Sequence, residues 1–150
     1  MIKVLFICHG NICRSPMAEF IFKDMVSKQS SDRFYIASAA TSTEEIWNGI
    51  GNPVYPPARE ELAKHGIDCK GKRAVQLTKA DYDKYDYILG MDHWNLKNML
   101  RILKSDPEDK VKLLLDTVMI RGISQIRGIQ VDLMSHIQMW WRAVRLFWNI

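Results

Sequence analysis

Ile2 to Ile7 is an almost unbroken apolar run rich in β-formers, the pattern of a strand buried on both faces. The run breaks at Cys8-His9-Gly10-Asn11. Ser15 is then placed to cap a helix with Pro16 in its first turn and Met17, Phe20, Ile21 and Val26 along one face. Phe34 to Ala39 is a second strand, and Thr41 to Pro57 a long loop holding two Gly, three Pro and Trp47. A helix over Pro57 to His65 stops at Gly66. Tyr85 to Met91 is a third strand, Asp92 caps a helix running to about Leu103, and Lys110 to Leu115 is a fourth strand. This alternation predicts an α/β fold: a doubly wound four-stranded parallel sheet with helices on both faces and strand one at its centre. Ligands of such sheets sit at the carboxyl ends of the strands, where the loop after Ile7 lies.

The 150 residues suit a single domain, and 47% apolar with 25% charged residues is an ordinary globular balance. No run of about 18 apolar residues occurs, and Met1-Ile2-Lys3 leads straight into the first strand, so neither an export signal nor a membrane span is expected. Cys8, Cys13 and Cys69 are too few for a disulfide framework, which makes a reducing cytoplasm the expected compartment. The net charge of +4 is uneven. Residues 1–116 balance 17 Lys and Arg against 16 Asp and Glu, whereas 117–150 hold four Arg and one Asp. The body of the chain has no clustered basic face or reading element for nucleic acid.

The informative stretch is Cys8-His9-Gly10-Asn11-Ile12-Cys13-Arg14-Ser15-Pro16, in which five residues separate a Cys from an Arg between a buried strand and a helix start. A loop of that length can turn its backbone N–H groups inward and form an anion-sized nest at the positive end of the helix. Arg14 supplies a planar fork for two phosphoryl oxygens. The same positive field favours the thiolate of Cys8, the nucleophilic form, and Ser15 can donate to that sulfur. Gly10 and Asn11 supply the unusual backbone angles that the curl needs. His9, His65, His93 and His136 lack metal-ligand spacing, so no metal is expected.

These residues resemble the signature loop of the low-molecular-weight protein tyrosine phosphatases, matched by Cys8, Gly10, Asn11, Ile12, Cys13, Arg14, Ser15 and Pro16. The likeness extends to Met17-Ala18-Glu19, Ser38-Ala39-Ala40, His65-Gly66-Ile67, Asp86-Tyr87-Ile88-Leu89 and Met91-Asp92, so it covers about residues 1–116 of one phosphatase-like domain. It implies that Cys8 attacks an aryl phosphate, a cysteinyl-phosphate forms, and water releases phosphate without a cofactor. Catalysis then falls to Cys8, Arg14 and Ser15, with His9, Gly10, Asn11, Ile12, Cys13, Ser38 and Trp47 binding phosphate or substrate. The implied partner is a tyrosine-phosphorylated protein or a small aryl phosphate. Ile12, where arginine-phosphate phosphatases of the family carry Thr, favours an aryl substrate. Arsenate reductases share the fold but need later resolving cysteines, for which Cys69 is poorly placed. Trp47 is the candidate to lie over the substrate ring, or else an ordinary loop aromatic. Cys13 is either a partner that traps oxidised Cys8 as a disulfide or a packing thiol, and Cys69 reads as inert. Lys72 lies near where relatives often carry a His contacting the loop Asn.

The likeness stops short of the general acid. The family carries an Asp in an Asp-Pro-aromatic-aromatic motif near its C-terminus, and this chain has none. Asp106-Pro107 is followed by Glu108-Asp109 and reads as a turn; Asp132 is followed by Leu133. After Asp116 the chain holds no Lys or Glu but three Trp and six Ile. Degenerate codons for 116–150, read from the third base of each, permit an Asp-Pro-Trp-Tyr at the family's distance, so a base lost near codon 116 explains the tail. The competing reading is an interfacial membrane helix, with Leu133, Ile137, Trp140, Trp141, Val144 and Trp148 at helical spacing beside Arg142 and Arg145. A non-catalytic phosphate binder is the other alternative. Mass spectrometry of the native C-terminal peptide decides the tail: the frame reading expects Asp-Pro-Trp-Tyr, and a peptide ending Trp148-Asn149-Ile150 rejects it.

Overall fold

The computed structural model describes residues 1–28 and 34–114. Its elements are β1 (Ile2–Cys8), α1 (Arg14–Lys28), β2 (Phe34–Ala40), β3 (Ile46–Trp47), β4 (Ile50–Gly51), α2 (Pro56–Lys64), α3 (Asp81–Lys84), β5 (Tyr87–Gly90), α4 (His93–Leu103) and β6 (Val111–Leu113). The main sheet runs β2-β1-β5-β6 with every pair parallel. β1 is central, as its apolar run requires. Ile7 lies in register with Ala39 on one side and Gly90 on the other, so the chain leaves β1 at the point where the strand order reverses.

Alternate β1 side chains feed two cores. Val4, Phe6 and Cys8 pack with Met17, Ile21 and Met25 of α1 and with Ala58 and Leu62 of α2. Leu5 and Ile7 pack on the other face with Leu77, Tyr82, Met99 and Leu103. The expected fold class holds, with helices on both faces. The tail beyond Leu114, including Asp132 and the apolar positions from Leu133 to Trp148, lies outside the described residues.

Local boundaries differ from expectation in four places. Ser15 is not a cap: α1 begins at Arg14, and the first helical N–H, that of Met17, donates to Cys13 O at 3.1 Å. The third strand is shorter than Tyr85 to Met91, because the N–H of Tyr85 instead closes α3, a helical turn the periodicity did not reveal. α2 starts one residue early, at Pro56, with its two prolines in the opening positions where no N–H is needed. The long loop after β2 folds into the β3–β4 hairpin and is pinned by residues 73–77. Ala74 N donates to Asn52 O, and Leu77 N to Ala40 O. A Cβ on Gly51 would stand 1.9 Å from Ala74 O, so only glycine permits this approach.

Asp106 is confirmed as a turn residue. Its carboxylate accepts from Tyr82 Oη at 2.7 Å and from the N–H groups of Lys110 and Val111 at 2.8 and 3.2 Å. Burial opposes its ionisation, but these bonds outweigh burial and hold the carboxyl below its usual range. A depressed folded-state value stabilises the protein above the unfolded carboxyl value, and that stability is lost as pH falls through the folded one. Asp106→Asn is therefore expected to unfold about 1–2 kcal/mol more easily at pH 7. In urea titrations its deficit against the parent should shrink once the pH falls below about 4.

Candidate active site

The turn from β1 into α1 is made by one strained residue. Asn11 has φ of 56°, in the left-handed region, whereas Gly10 does not; the expectation that both supply unusual angles holds only for Asn11. Gly10 serves instead as a space: a Cβ there would meet Glu45 Cγ at 3.1 Å. The Asn11 side chain is 1% exposed and spends its polar atoms fully. Nδ2 donates to Ser15 Oγ at 2.9 Å and to Ser38 Oγ at 2.8 Å, while Oδ1 accepts from Val75 N at 3.0 Å.

Those bonds set the direction of the next ones. Ser15 Oγ accepts from Asn11, which leaves its proton for Cys8 Sγ at 2.9 Å. The Asn11 N–H lies 3.3 Å from the same sulfur. The buried sulfur thus faces two donors. Ser38 Oγ likewise accepts from Asn11 and donates to Glu19 Oε1 at 2.7 Å. Glu19 is buried, with Lys23 Nζ 2.7 Å from its Oε2 and Lys72 Nζ 3.5 Å from its Oε1. Lys72 also donates to Ser38 O at 3.0 Å. Burial pulls the Lys72 ammonium below its ordinary value against the pull of Glu19. Lys72 thus braces the Glu19–Ser38 pair.

Arg14 is held from α4. Its Nη1 lies 2.7 Å from Asp92 Oδ2, while Asp92 Oδ1 accepts the Asn95 N–H at 2.7 Å and caps α4. The Asn95 side chain returns the bond to the Asp92 N–H at 3.2 Å, closing a capping box. One carboxylate therefore fixes a helix and a guanidinium. Sequence reasoning recognised only the cap, because a 78-residue separation carries no local signal. The role of Glu19 is likewise tertiary; the signal for it in the sequence is a carboxylate on the largely apolar buried face of α1.

The remaining candidates surround this centre. His9 faces solvent, Nε2 3.0 Å from Glu44 Oε2. Ile12 O accepts the Tyr55 N–H at 2.7 Å, tying the loop to the start of α2. Trp47 is 79% exposed on the β3–β4 hairpin, opposite Ile50. The hairpin flanks the loop through Ser42 N to His9 O at 2.9 Å. Cys13 is half-buried, its thiol pushed up to about 11 by burial first and by Cys8 second, with Arg14 opposing. Cys69 is a core thiol, raised chiefly by burial. Among the described residues no metal-sized cluster of His, Cys, Asp and Glu occurs.

Asn11→Ala would leave Ser15, Ser38 and the Val75 N–H each short of a partner and keep a left-handed turn on alanine. A loss of about 2–4 kcal/mol in denaturant stability is expected, together with slower alkylation of Cys8 by iodoacetate at neutral pH.

Comparison with known proteins agrees with this geometry. The low molecular weight protein-tyrosine-phosphatase YfkJ of Bacillus subtilis is 40% identical over 118 residues, 79% of this chain and 74% of its own length. The low molecular weight phosphotyrosine protein phosphatase of Mus musculus is 46% identical over 100 residues, 66% of this chain and 60% of its own. The chain thus spans about three-quarters of one curated relative and three-fifths of the other. The crystal structure of YfkJ superposes with a TM-score of 0.74 at 32% identity, covering 100% of this chain and 94% of that one. The low molecular weight protein tyrosine phosphatase SP-PTP from Streptococcus pyogenes gives 0.69 at 33% identity, covering 99% and 92%. The family match runs over residues 3–125, nine residues past the boundary drawn at 116 from the sequence: the chain belongs to the low molecular weight phosphotyrosine protein phosphatase family.

Proposed function

We propose that the protein hydrolyses aryl phosphate monoesters, phosphotyrosine among them, through a cysteinyl-phosphate. The observation that carries this reading is the Cys8 sulfur held between Ser15 Oγ and the Asn11 N–H, at the carboxyl end of the central strand and at the start of α1. Cys8 Sγ attacks phosphorus as the aryl oxygen departs, and Arg14, oriented by Asp92, holds two equatorial oxygens. A water then attacks the phosphocysteine, releasing phosphate and restoring the thiolate, to which the Ser15 hydroxyl donates. Trp47 supplies an aromatic face beside the loop for the substrate ring, and Ile12 keeps that side apolar.

Protonation of the departing oxygen is the weak step. Among the described residues, the carboxylates nearest the loop are engaged: Glu19 with Lys23 and Ser38, Asp92 with Arg14, Glu44 with His9, and Glu45 with the Asn52 side chain. Asp106 belongs to its turn. Without a positioned acid, turnover falls by roughly a hundredfold for substrates whose leaving group must be protonated. This same gap favours the second reading, a phosphotyrosine binder that seldom turns over.

The test is steady-state hydrolysis. Cys8→Ser should abolish phosphate release while retaining phosphate binding. Para-nitrophenyl phosphate, with its good leaving group, should retain more activity than phosphotyrosine when the chain is compared with a version carrying Asp-Pro-Trp-Tyr. Equal losses on both substrates reject the missing-acid explanation, and no release from the unmutated chain favours the binder.

A further inference from the structure

The helix that braces Arg14 carries an outer face that the chemistry leaves unused. α4 has the sequence His-Trp-Asn-Leu-Lys-Asn-Met-Leu-Arg-Ile-Leu, and it is the one described helix without Asp or Glu. Asn95, Met99 and Leu103 are buried against the sheet. On the opposite side Trp94, Lys97 and Arg101 follow at three- and four-residue spacing, which puts them on one stripe with Lys104 just beyond the helix. All four are exposed, Trp94 by 65%. Lys97 Nζ sits 5.0 Å from the Trp94 ring centroid, a cation–π contact that holds the indole against the helix surface. Among the described residues, neither Lys97, Arg101 nor Lys104 forms an ion pair, in contrast to Lys23, Lys28, Lys64, Lys72, Lys110 and Lys112.

The position of the stripe matters as much as its charge. It begins two residues after Asp92, whose carboxylate grips Arg14, and so continues outward from the phosphate loop. From Trp94 to Arg101 the helix rises roughly 10 Å. An extended peptide covers that distance in about three residues. We infer that the Trp94–Lys97–Arg101 face of α4 docks acidic residues flanking the phosphotyrosine of a protein substrate, with Trp94 at the end of the stripe nearer Asp92. This inference rests on the phosphatase reading and specifies its substrate class: phosphotyrosine in an acidic context. Charge complementarity selects the occupant, since among the described residues three cations without an ion pair, on and just beyond a helix that holds no carboxylate, favour a polyanionic segment, and continuity with the loop places that segment on the phosphorylated polypeptide itself.

The full chain carrying Cys8→Ser binds without turning over, so affinity can be read by fluorescence anisotropy. Two labelled phosphotyrosine peptides serve as probes, one flanked by glutamates and one by serines. The glutamate peptide should bind about tenfold more tightly, with a preference that shrinks at high ionic strength. Adding K97E and R101E should erase the preference while leaving competition by inorganic phosphate within twofold. K97Q with R101Q, matched to the parent in unfolding midpoint, should weaken the preference to an intermediate value and so separates charge from misfolding. Equal affinities for the two peptides, or a preference that survives K97E and R101E, overturns the docking proposal alone. Binding of the stripe to phosphatidylserine vesicles with no peptide preference also overturns it, in favour of a membrane-facing surface. Failure of inorganic phosphate to bind overturns the proposal together with the phosphatase reading.

Discussion

The active loop depends on one asparagine held in a conformation that costs energy. A non-glycine residue at φ of 56° is tolerable only where its surroundings over-determine it. Here the surroundings are three hydrogen bonds to one fully buried amide, reaching Ser15 on α1, Ser38 on β2 and Val75 on the segment behind β2. Two of these partners are hydroxyls, which accept from Asn11 and therefore point their own protons onward, one to Cys8 and one to Glu19. The shape of the loop and the direction of every donor around the sulfur thus follow from a single side chain.

A buried carboxylate closes that chain of donors. Glu19 is expensive to bury as an ion, and two lysines with a serine surround it. The opposite side of the site uses a lighter device. Asp92 divides its two oxygens between a helix cap and Arg14, so the orientation of the guanidinium is inherited from the start of α4.

Much of this was legible in the sequence because much of it is local. The apolar run of β1, the Cys8–Arg14 spacing, the stop at Gly66 and the cap at Asp92 are all written within a few residues of where they act. Fold class followed from alternation, and the central place of strand one from its apolar run. What escaped was tertiary. Ser15 has a cap residue's chemistry, yet its hydroxyl is drawn to Cys8, and the helix starts one residue earlier. Gly10 and Asn11 are both permissive of left-handed backbone, and only the hydrogen bonds to Ser38 and Val75 settle which one turns. The β3–β4 hairpin was hidden by two-residue strands, too short to show alternation, and the approach of Gly51 to Ala74 links segments far apart in the chain.

Those distances have a consequence for how the loop comes into being. It occupies the first tenth of the chain, but its braces lie 27, 64 and 78 residues downstream, at Ser38, Val75 and Asp92. During vectorial synthesis Cys8 therefore emerges long before the groups that surround it, and a nascent chain shorter than 92 residues lacks the hold on Arg14. Closing contacts of such span is slow in parallel sheets. The braced loop is consequently a late product of folding, reached only after β5 has docked beside β1, even though Cys8 is among the first residues made.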